Sequence, residues 1–372
     1  MPANQALWLP SRRDNFTVGP APYNPPGPDE ILVRNRAVAI NPLDRMIPVI
    51  GDIVFPWLRY PVVLGTDLAG EVVDIGENVT RFQLGDRVIG HAVGVEKTRN
   101  NPAEGAFQTY TVLAAHMAST IPDSMAYEEA VVLPLGLSTA ACGLFQRDFL
   151  ALNPPSLEPR RSGKTLLVWG GSTSVGSNAI QLAVAAGYEV VTTCSSHNFD
   201  YVLGLGARKA FDYHRPSVAQ DIIAELDGHE VAGAFAIGVG STSACIDIMG
   251  HCSGRRFVAI ASPPVSFDSL PSGSGRLRKM LPLMARMISA NVGQVMNARR
   301  NRVTTKMIWG GSLLENEVGP MIYERFLPQA LALGRYKAAP DPLVVGTGLD
   351  HIHTAIELLK QGVSARKLVV QL

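Results

Sequence analysis

The run LLVWGGSTSVGSNAIQLA (Leu166 to Ala183) constrains the fold more than any other part of the chain. An apolar stretch ends at Trp169, Gly170 and Gly171 open a turn, and a helical period starts near Val175. Buried strand, glycine turn and helix in that order begin a βαβ unit. Small residues in the turn let backbone approach a pyrophosphate, and the first N–H groups of the helix have no intrahelical partner to prefer over it. Gly176 lets the helix pack closely on the sheet. Thr173 replaces the middle glycine of G-x-G-x-x-G, so the glycines alone are weak evidence and the context must carry the reading. It does: YEVVTTC, VAGAFAI and RRFVAIA read as further strands, with DIIAEL and STSACIDIMG as helices between them. A P-loop is disfavoured, because Ser177 and Asn178 follow Gly176 where Lys and Ser/Thr would stand.

A dinucleotide fold that selects NAD places a carboxylate at the end of its second strand. Here that strand ends VVTTC and runs on through Ser195, Ser196, His197 and Asn198; Glu189 opens the strand and Asp200 lies beyond the turn. Hydroxyl and imidazole groups suit a 2′-phosphate, which points to NADPH. The alternative is a solvated polar loop, since the Arg or Lys of a stronger phosphate clamp is missing.

The 372 residues suit two domains. Before Pro134 the chain is dense in short strand-like runs and turns, with Gly65, Gly70 and Gly76 at turn or close-approach positions, and predicts a small β-barrel. LGLSTAACGLF reads as a helix and ALNPPSLEPRRSG as a connector. Later come a helical stretch (Met321 to Leu333), the strand PLVVG, a helix carrying His351 and His353, and the strand KLVVQL, which returns to the first domain. The expected class is α/β: a barrel domain from 1–135 and 306–372, and a doubly wound parallel sheet over 136–305.

A net charge of +1 argues against general attraction to nucleic acid or anionic membrane. The opening MPANQALWLP has no signal-like apolar run, and no window approaches about 18 uninterrupted apolar residues. These features predict a cytoplasmic protein. Cys142, Cys194, Cys245 and Cys252 form neither a disulfide ladder nor a metal knuckle and are expected to be free, buried thiols.

From Ser269 to Leu314 there is no Asp or Glu, against Arg276, Arg278, Lys279, Arg286, Arg299, Arg300, Arg302 and Lys306. Leu277, Met280, Leu281, Met284 and Ile288 recur at helical spacing. Two readings stand: a core-packed helix with a solvated basic side, or a substrate lid over 265–305 that also receives an anionic carrier.

Taken together, GTDLAGEVVDIGENVTRFQLGDRVIG, the GGSTSVGSNAIQLA loop, LGARKAFDYH and KLVVQL resemble the medium-chain dehydrogenase/reductase superfamily, over nearly the whole chain. AVAINPLD, TCSSHNFD and FDYH resemble its fungal zinc-free branch, which includes trans-acting enoyl reductases. The resemblance implies a GroES-like barrel as catalytic domain, a Rossmann domain, and an active cleft between them. It implies cofactor contacts at Leu43, Asp44, Arg45 and Met46. Gly171, Ser172, Thr173, Ser174 and Val175 would hold the pyrophosphate, and Ser195, Ser196, His197, Asn198 and Tyr213 the 2′-phosphate. Thr139, Ile260, Gly348 and Leu349 complete the set. Zinc-using members carry Cys near Asn41 and Gly-His-Glu where this chain has Gly65, Thr66 and Asp67, so no metal is expected. Met46 stands where some enoyl reductases have lysine. Asn41 and Asp44 are the nearest polar candidates for catalysis by family position.

The expected activity is NADPH-dependent reduction of an activated C=C bond in an enone or enoyl thioester, on a small-molecule substrate that a carrier could tether. Neither nucleic acid nor membrane is an expected partner, and monomer and homodimer both remain open. The rivals are a quinone reductase and a non-catalytic NADPH-binding protein.

Overall fold

A computed structural model describes residues 2–267, 270 and 276–372; the side chains of Arg276 and Leu277 and the rest of the 268–275 stretch lie outside the described residues. The chain forms two compact units, Met1–Leu135 with Leu270–Arg276 and Leu313–Leu372, and Gly136–Ser269 with Leu277–Ser312.

The first unit is built on strands that run mostly antiparallel. Its larger sheet is ordered Asp341–Thr347, Arg366–Gln371, Glu30–Ala39, Asp67–Ile75, Arg87–His91, Ala118–Thr120, and Tyr110–Ala114 pairs with the other half of Glu30–Ala39. A three-stranded sheet joins Thr17–Ala21, Asn4–Leu9 and Val62–Val63. Leu9, Ile31, Val33, Leu64, Leu68, Phe107 and Val370 fill the core. Gly70 sits where a Cβ would come within 2.1 Å of the Arg34 carbonyl oxygen, so the strand crossing there accepts no side chain.

In the second unit six parallel strands stand in the order Lys209–Asp212, Glu189–Cys194, Lys164–Trp169, Glu230–Ala236, Phe257–Ile260, Thr304–Met307. Counted along the chain this is 3-2-1-4-5-6, the Rossmann order, and the strand direction of travel reverses between Lys164–Trp169 and Glu230–Ala236. The expected boundary at 305/306 is corrected. It cuts through Thr304–Met307, whose pairing with Phe257–Ile260 keeps it in this sheet, and the unit continues to Ser312.

Met321–Phe326 is a π-helical segment between the short α-helices Val318–Pro320 and Leu327–Ala332. Helix Arg276–Asn301 does bury Met280, Leu283 and Ala298, yet Leu281 is 67% and Ile288 59% exposed, so the expected apolar face is not core-packed as a whole. The stretch Tyr127–Phe145 is long and apolar enough by composition to cross a membrane, but 78% of its most apolar window is buried inside the protein. It is a core element. All four cysteines are free and buried.

Candidate cofactor cradle and barrel site

In the second unit the Lys164–Trp169 strand is extended through buried Leu166, Leu167 and Val168. Gly170 then turns the chain at φ +92°, and a Cβ there would lie 3.0 Å from the Ile237 carbonyl oxygen, at the end of the Glu230–Ala236 strand. The turn therefore sits at the switch point, where the crevice of an open parallel sheet opens. Thr173 caps helix Ser174–Ala185: its Oγ1 accepts from Gly176 N at 3.0 Å and donates to Gly170 O at 2.8 Å. The threonine in the middle-glycine position is thus the helix cap. Gly176 itself has no room for a side chain, since a Cβ would meet Gly170 O at 2.1 Å. Gly171 is buried, Ser172, Ser174 and Val175 are half-buried, and Thr173 is exposed. A helix N-terminus fixed against a glycine turn, at this place in this sheet, fits a dinucleotide pyrophosphate.

The Glu189–Cys194 strand leads into Ser195 and the turn Ser196–Asn198. Ser195 Oγ donates to the Tyr213 hydroxyl at 3.3 Å, which brings two of the sequence-predicted phosphate ligands together from separate strand ends. Ser196 and His197 are exposed and Asn198 buried. The sequence reading missed Asp212. Parallel pairing sets it beside Cys194, and burial, followed by the Asp212 charge, pushes the Cys194 thiol up to about 12. Asp212 Oδ1 in turn accepts from His214 N at 3.0 Å and contacts His214 Nδ1 at 2.9 Å, which holds its carboxyl below the usual range. Ile260 ends its strand buried, and half-buried Thr139 lies against the backbone at Gly310.

The first unit holds a buried polar network. Asn41 precedes helix Pro42–Val54, whose first-turn Asp44 takes the Asn41 N–H on Oδ2 at 2.8 Å. Asn41 Nδ2 donates to Thr66 Oγ1 at 2.9 Å and Asp67 Oδ2 at 2.8 Å, while its Oδ1 accepts from Lys367 Nζ at 2.5 Å. Lys367 Nζ also lies 2.9 Å from Asp67 Oδ2, and Asp67 Oδ1 accepts the Leu135 N–H at 2.6 Å.

Sheet register explains the assembly. Val369 pairs with Ala39, Ala39 with Asp67, and Asp67 with His91, and continuing the antiparallel Arg366–Gln371 register by two residues sets Lys367 opposite Asn41. Lys367 was not anticipated as a site residue. Its signal in the sequence is weak: Lys367 is the second of two basic residues that open an apolar strand.

Two groups in this region are strongly perturbed. Burial first, and then the Asp67 charge, pushes Asp44 up to about 7, and its Oδ1 is buried with no partner among the described residues. Burial pushes His91 down to about 4, against the pull of Asp67. Leu43, Arg45 and Met46 are half-buried on the first turn of Pro42–Val54, and Gly348 (φ +94°) and Leu349 lead into helix Asp350–Leu359.

This donor set does not fit zinc. A catalytic zinc takes about three ligands from Cys, His or carboxylate with an open position. Here the positions of the zinc ligands offer an amide and a hydroxyl, and a lysine ammonium already neutralises the adjoining carboxylate.

A Rossmann-ordered sheet with a glycine-turn cradle, joined in one chain to a mostly antiparallel sheet unit, is the architecture of a two-domain oxidoreductase. The profile of the alcohol dehydrogenase GroES-like domain matches residues 27–123. The chain is 49% identical to the dehydrogenase pigH of Monascus ruber and 37% identical to the trans-enoyl reductase himH of Aspergillus japonicus. The first match covers all of both chains, and the second 99% of this chain and 97% of himH. The Escherichia coli quinone oxidoreductase solved with NADPH superposes at a TM-score of 0.69 over the whole of both chains, with 18% identity. The chain belongs to the medium-chain dehydrogenase/reductase superfamily.

Proposed function

We propose that this protein is an NADPH-dependent reductase of activated C=C bonds, acting on an enone or enoyl thioester in the cytosol. The observation that carries the reading is the ammonium of Lys367 on Asp67 and Asn41, at the positions where zinc-using members hold their metal. Reduction of a simple ketone develops charge on one alkoxide oxygen, which those members stabilise with a Lewis acid. Conjugate addition spreads the charge over an enolate, which hydrogen bonds accommodate. One relative's name leans the same way: himH is a trans-enoyl reductase.

Bound NADPH would supply the hydride. The cradle at Gly170–Val175 would fix the pyrophosphate, and Ser195, Ser196, His197 and Tyr213 the 2′-phosphate. Asn41 acts as a positioning residue, because both of its amide hydrogens are committed within the first unit, and Asp44 positions it by accepting its backbone N–H. Hydride goes to the β-carbon, the π electrons move into the enolate, and solvent protonates the α-carbon.

Incubation with stereospecifically deuterated NADPH and an enone tests this. Deuterium on the product's β-carbon supports it. Turnover of quinones with enones untouched assigns the quinone reductase, tight NADPH binding with no acceptor assigns the binding protein, and reduction of simple ketones alone removes the C=C reading.

A further inference from the structure

Helix Arg276–Asn301 carries two apolar faces, and among the described residues only one of them is packed inside the chain. The inner face buries Met280, Leu283 and Ala298, and the C-terminal end is pinned by Asn297 Nδ2 donating to Asp247 at 2.8 Å. The outer face exposes Leu281 (67%), Ile288 (59%), Val292 (53%), Val295 (48%) and Met296 (65%). At about 100° per residue these five side chains fall within one stripe, on the far side of the helix from the buried ones. The stripe is about 22 Å long at 1.5 Å per residue. Single exposed apolar residues are ordinary, but a continuous stripe marks a binding surface.

Three features identify the occupant. Leu281, Ile288, Val292 and Val295 are spaced seven, four and three residues apart, the spacing of a seam that accepts another helix. Exposed Arg278, Arg286 and Arg300 line one border of the stripe and Arg299 falls at its end; among the described residues none of the four makes an ion pair. From Ser269 to Leu314 there is no acidic residue to balance them. A second copy of this helix, packed antiparallel about a two-fold axis, would set Arg278 of each copy near Arg299 and Arg300 of the other, like charge on like. A lipid surface is disfavoured because the helix has no Trp, Tyr or Phe to anchor in the headgroup region. We propose that the outer face of Arg276–Asn301 docks an acidic amphipathic helix of another protein, with the apolar seam supplying contact area and the arginines supplying selectivity. This inference stands apart from the proposed reaction.

The test uses the full chain and two synthetic 20-residue helical peptides with the same leucine seam, one flanked by Glu and one by Lys, titrated by fluorescence anisotropy. The Glu peptide should bind at least about tenfold tighter than its Lys twin and lose affinity as salt rises. The double variant Ile288→Ser/Val292→Ser should weaken it about tenfold. Arg278→Glu/Arg300→Glu, which leaves two Glu against Arg286 and Arg299, should abolish the preference for the Glu peptide, and both variants should keep the wild-type melting temperature because all four side chains are exposed. Equal binding of the two peptides, or binding of neither, overturns the proposal. So does binding to phosphatidylserine vesicles in preference to the Glu peptide, or a dimer in sedimentation that Ile288→Ser/Val292→Ser dissolves.

Discussion

The ammonium of Lys367 lies 2.9 Å from Asp67 Oδ2, with both side chains almost wholly withdrawn from water. Breaking a buried pair from one side leaves the other charge uncompensated, at a cost of about 3–5 kcal/mol, while replacing both partners by apolar groups is far milder. Lys367→Met should therefore destabilise the protein by that amount in urea unfolding, and Lys367→Met/Asp67→Asn, which removes both charges while an amide oxygen still accepts the Leu135 N–H, should recover part of the loss. A double variant as unstable as the single one would mean that the pair is not the source of the effect.

Asp44 and His91 give opposite pH dependences. Asp44 is raised from about 3.9 to about 7 in the fold, so its contribution is complete at low pH and is lost as pH rises through about 7. His91 is lowered from about 6.5 to about 4, so its contribution is complete above about 6.5 and is lost as pH falls through about 4. Between about pH 4 and 6.5 the folded chain holds one proton on Asp44 and the unfolded chain one on His91, and the two slopes cancel. Single substitutions should unmask them. In His91→Gln, stability should fall by about 1.4 kcal/mol per pH unit as pH rises, and in Asp44→Asn it should rise by a similar amount. Urea unfolding at three pH values across this window measures both slopes, and parallel profiles for the two variants would contradict the assignment.

Gly176→Ala brings a Cβ against the Gly170 carbonyl oxygen, 2.1 Å away, with only backbone available to give way. Overpacking of this kind costs about 1–3 kcal/mol, and it moves the helix terminus that would face the pyrophosphate. Loss of stability together with loss of reduced-cofactor binding is the expected result in fluorescence titration. Gly204→Ala, where nothing lies within 4 Å of the new methyl, is the control and should bind as wild type.

NADPH should bind at least about tenfold tighter than NADH, or roughly 1.4 kcal/mol. Ser195→Asp sets a carboxylate on the hydroxyl that meets Tyr213 and should reverse the order by repelling the 2′-phosphate. Tyr213→Phe should narrow the preference without reversing it. Titration of both reduced cofactors against the three proteins decides it, and equal affinities in the wild type would remove the assignment.

The parallel sheet was legible because its signals are local: apolar runs of strand length, helical periods between them, and glycines at the turn. The same holds for Gly70 and Gly176, whose need for close approach follows from their place in short motifs. The barrel network was only half legible. Asn41 and Asp67 could be placed by comparison with zinc-using relatives, but Lys367 reaches them through strand register across most of the chain, and nothing beside it in sequence announces that. Asp212 was overlooked because it ends the third strand, and only parallel pairing sets it beside Cys194. The boundary near residue 306 falls inside a strand because residues 265–305 interrupt the strand–helix alternation, and one more strand then joins the same sheet. Helical period identified Leu281 and Ile288 as one face, but period alone cannot say whether that face is covered.

The Arg366–Gln371 strand lies between Asp341–Thr347 and Glu30–Ala39, so a strand made after the whole second unit closes a sheet begun before it. On the ribosome the parallel sheet can therefore mature first, while Glu30–Ala39 waits with an open edge and Asp67 waits for its counter-charge. A nascent chain halted before Arg366 would carry a finished nucleotide fold on an unfinished partner. The half made first is the half completed last, and the interval between those events is when this protein is most exposed to chaperones, to proteases and to pairing with its own copies.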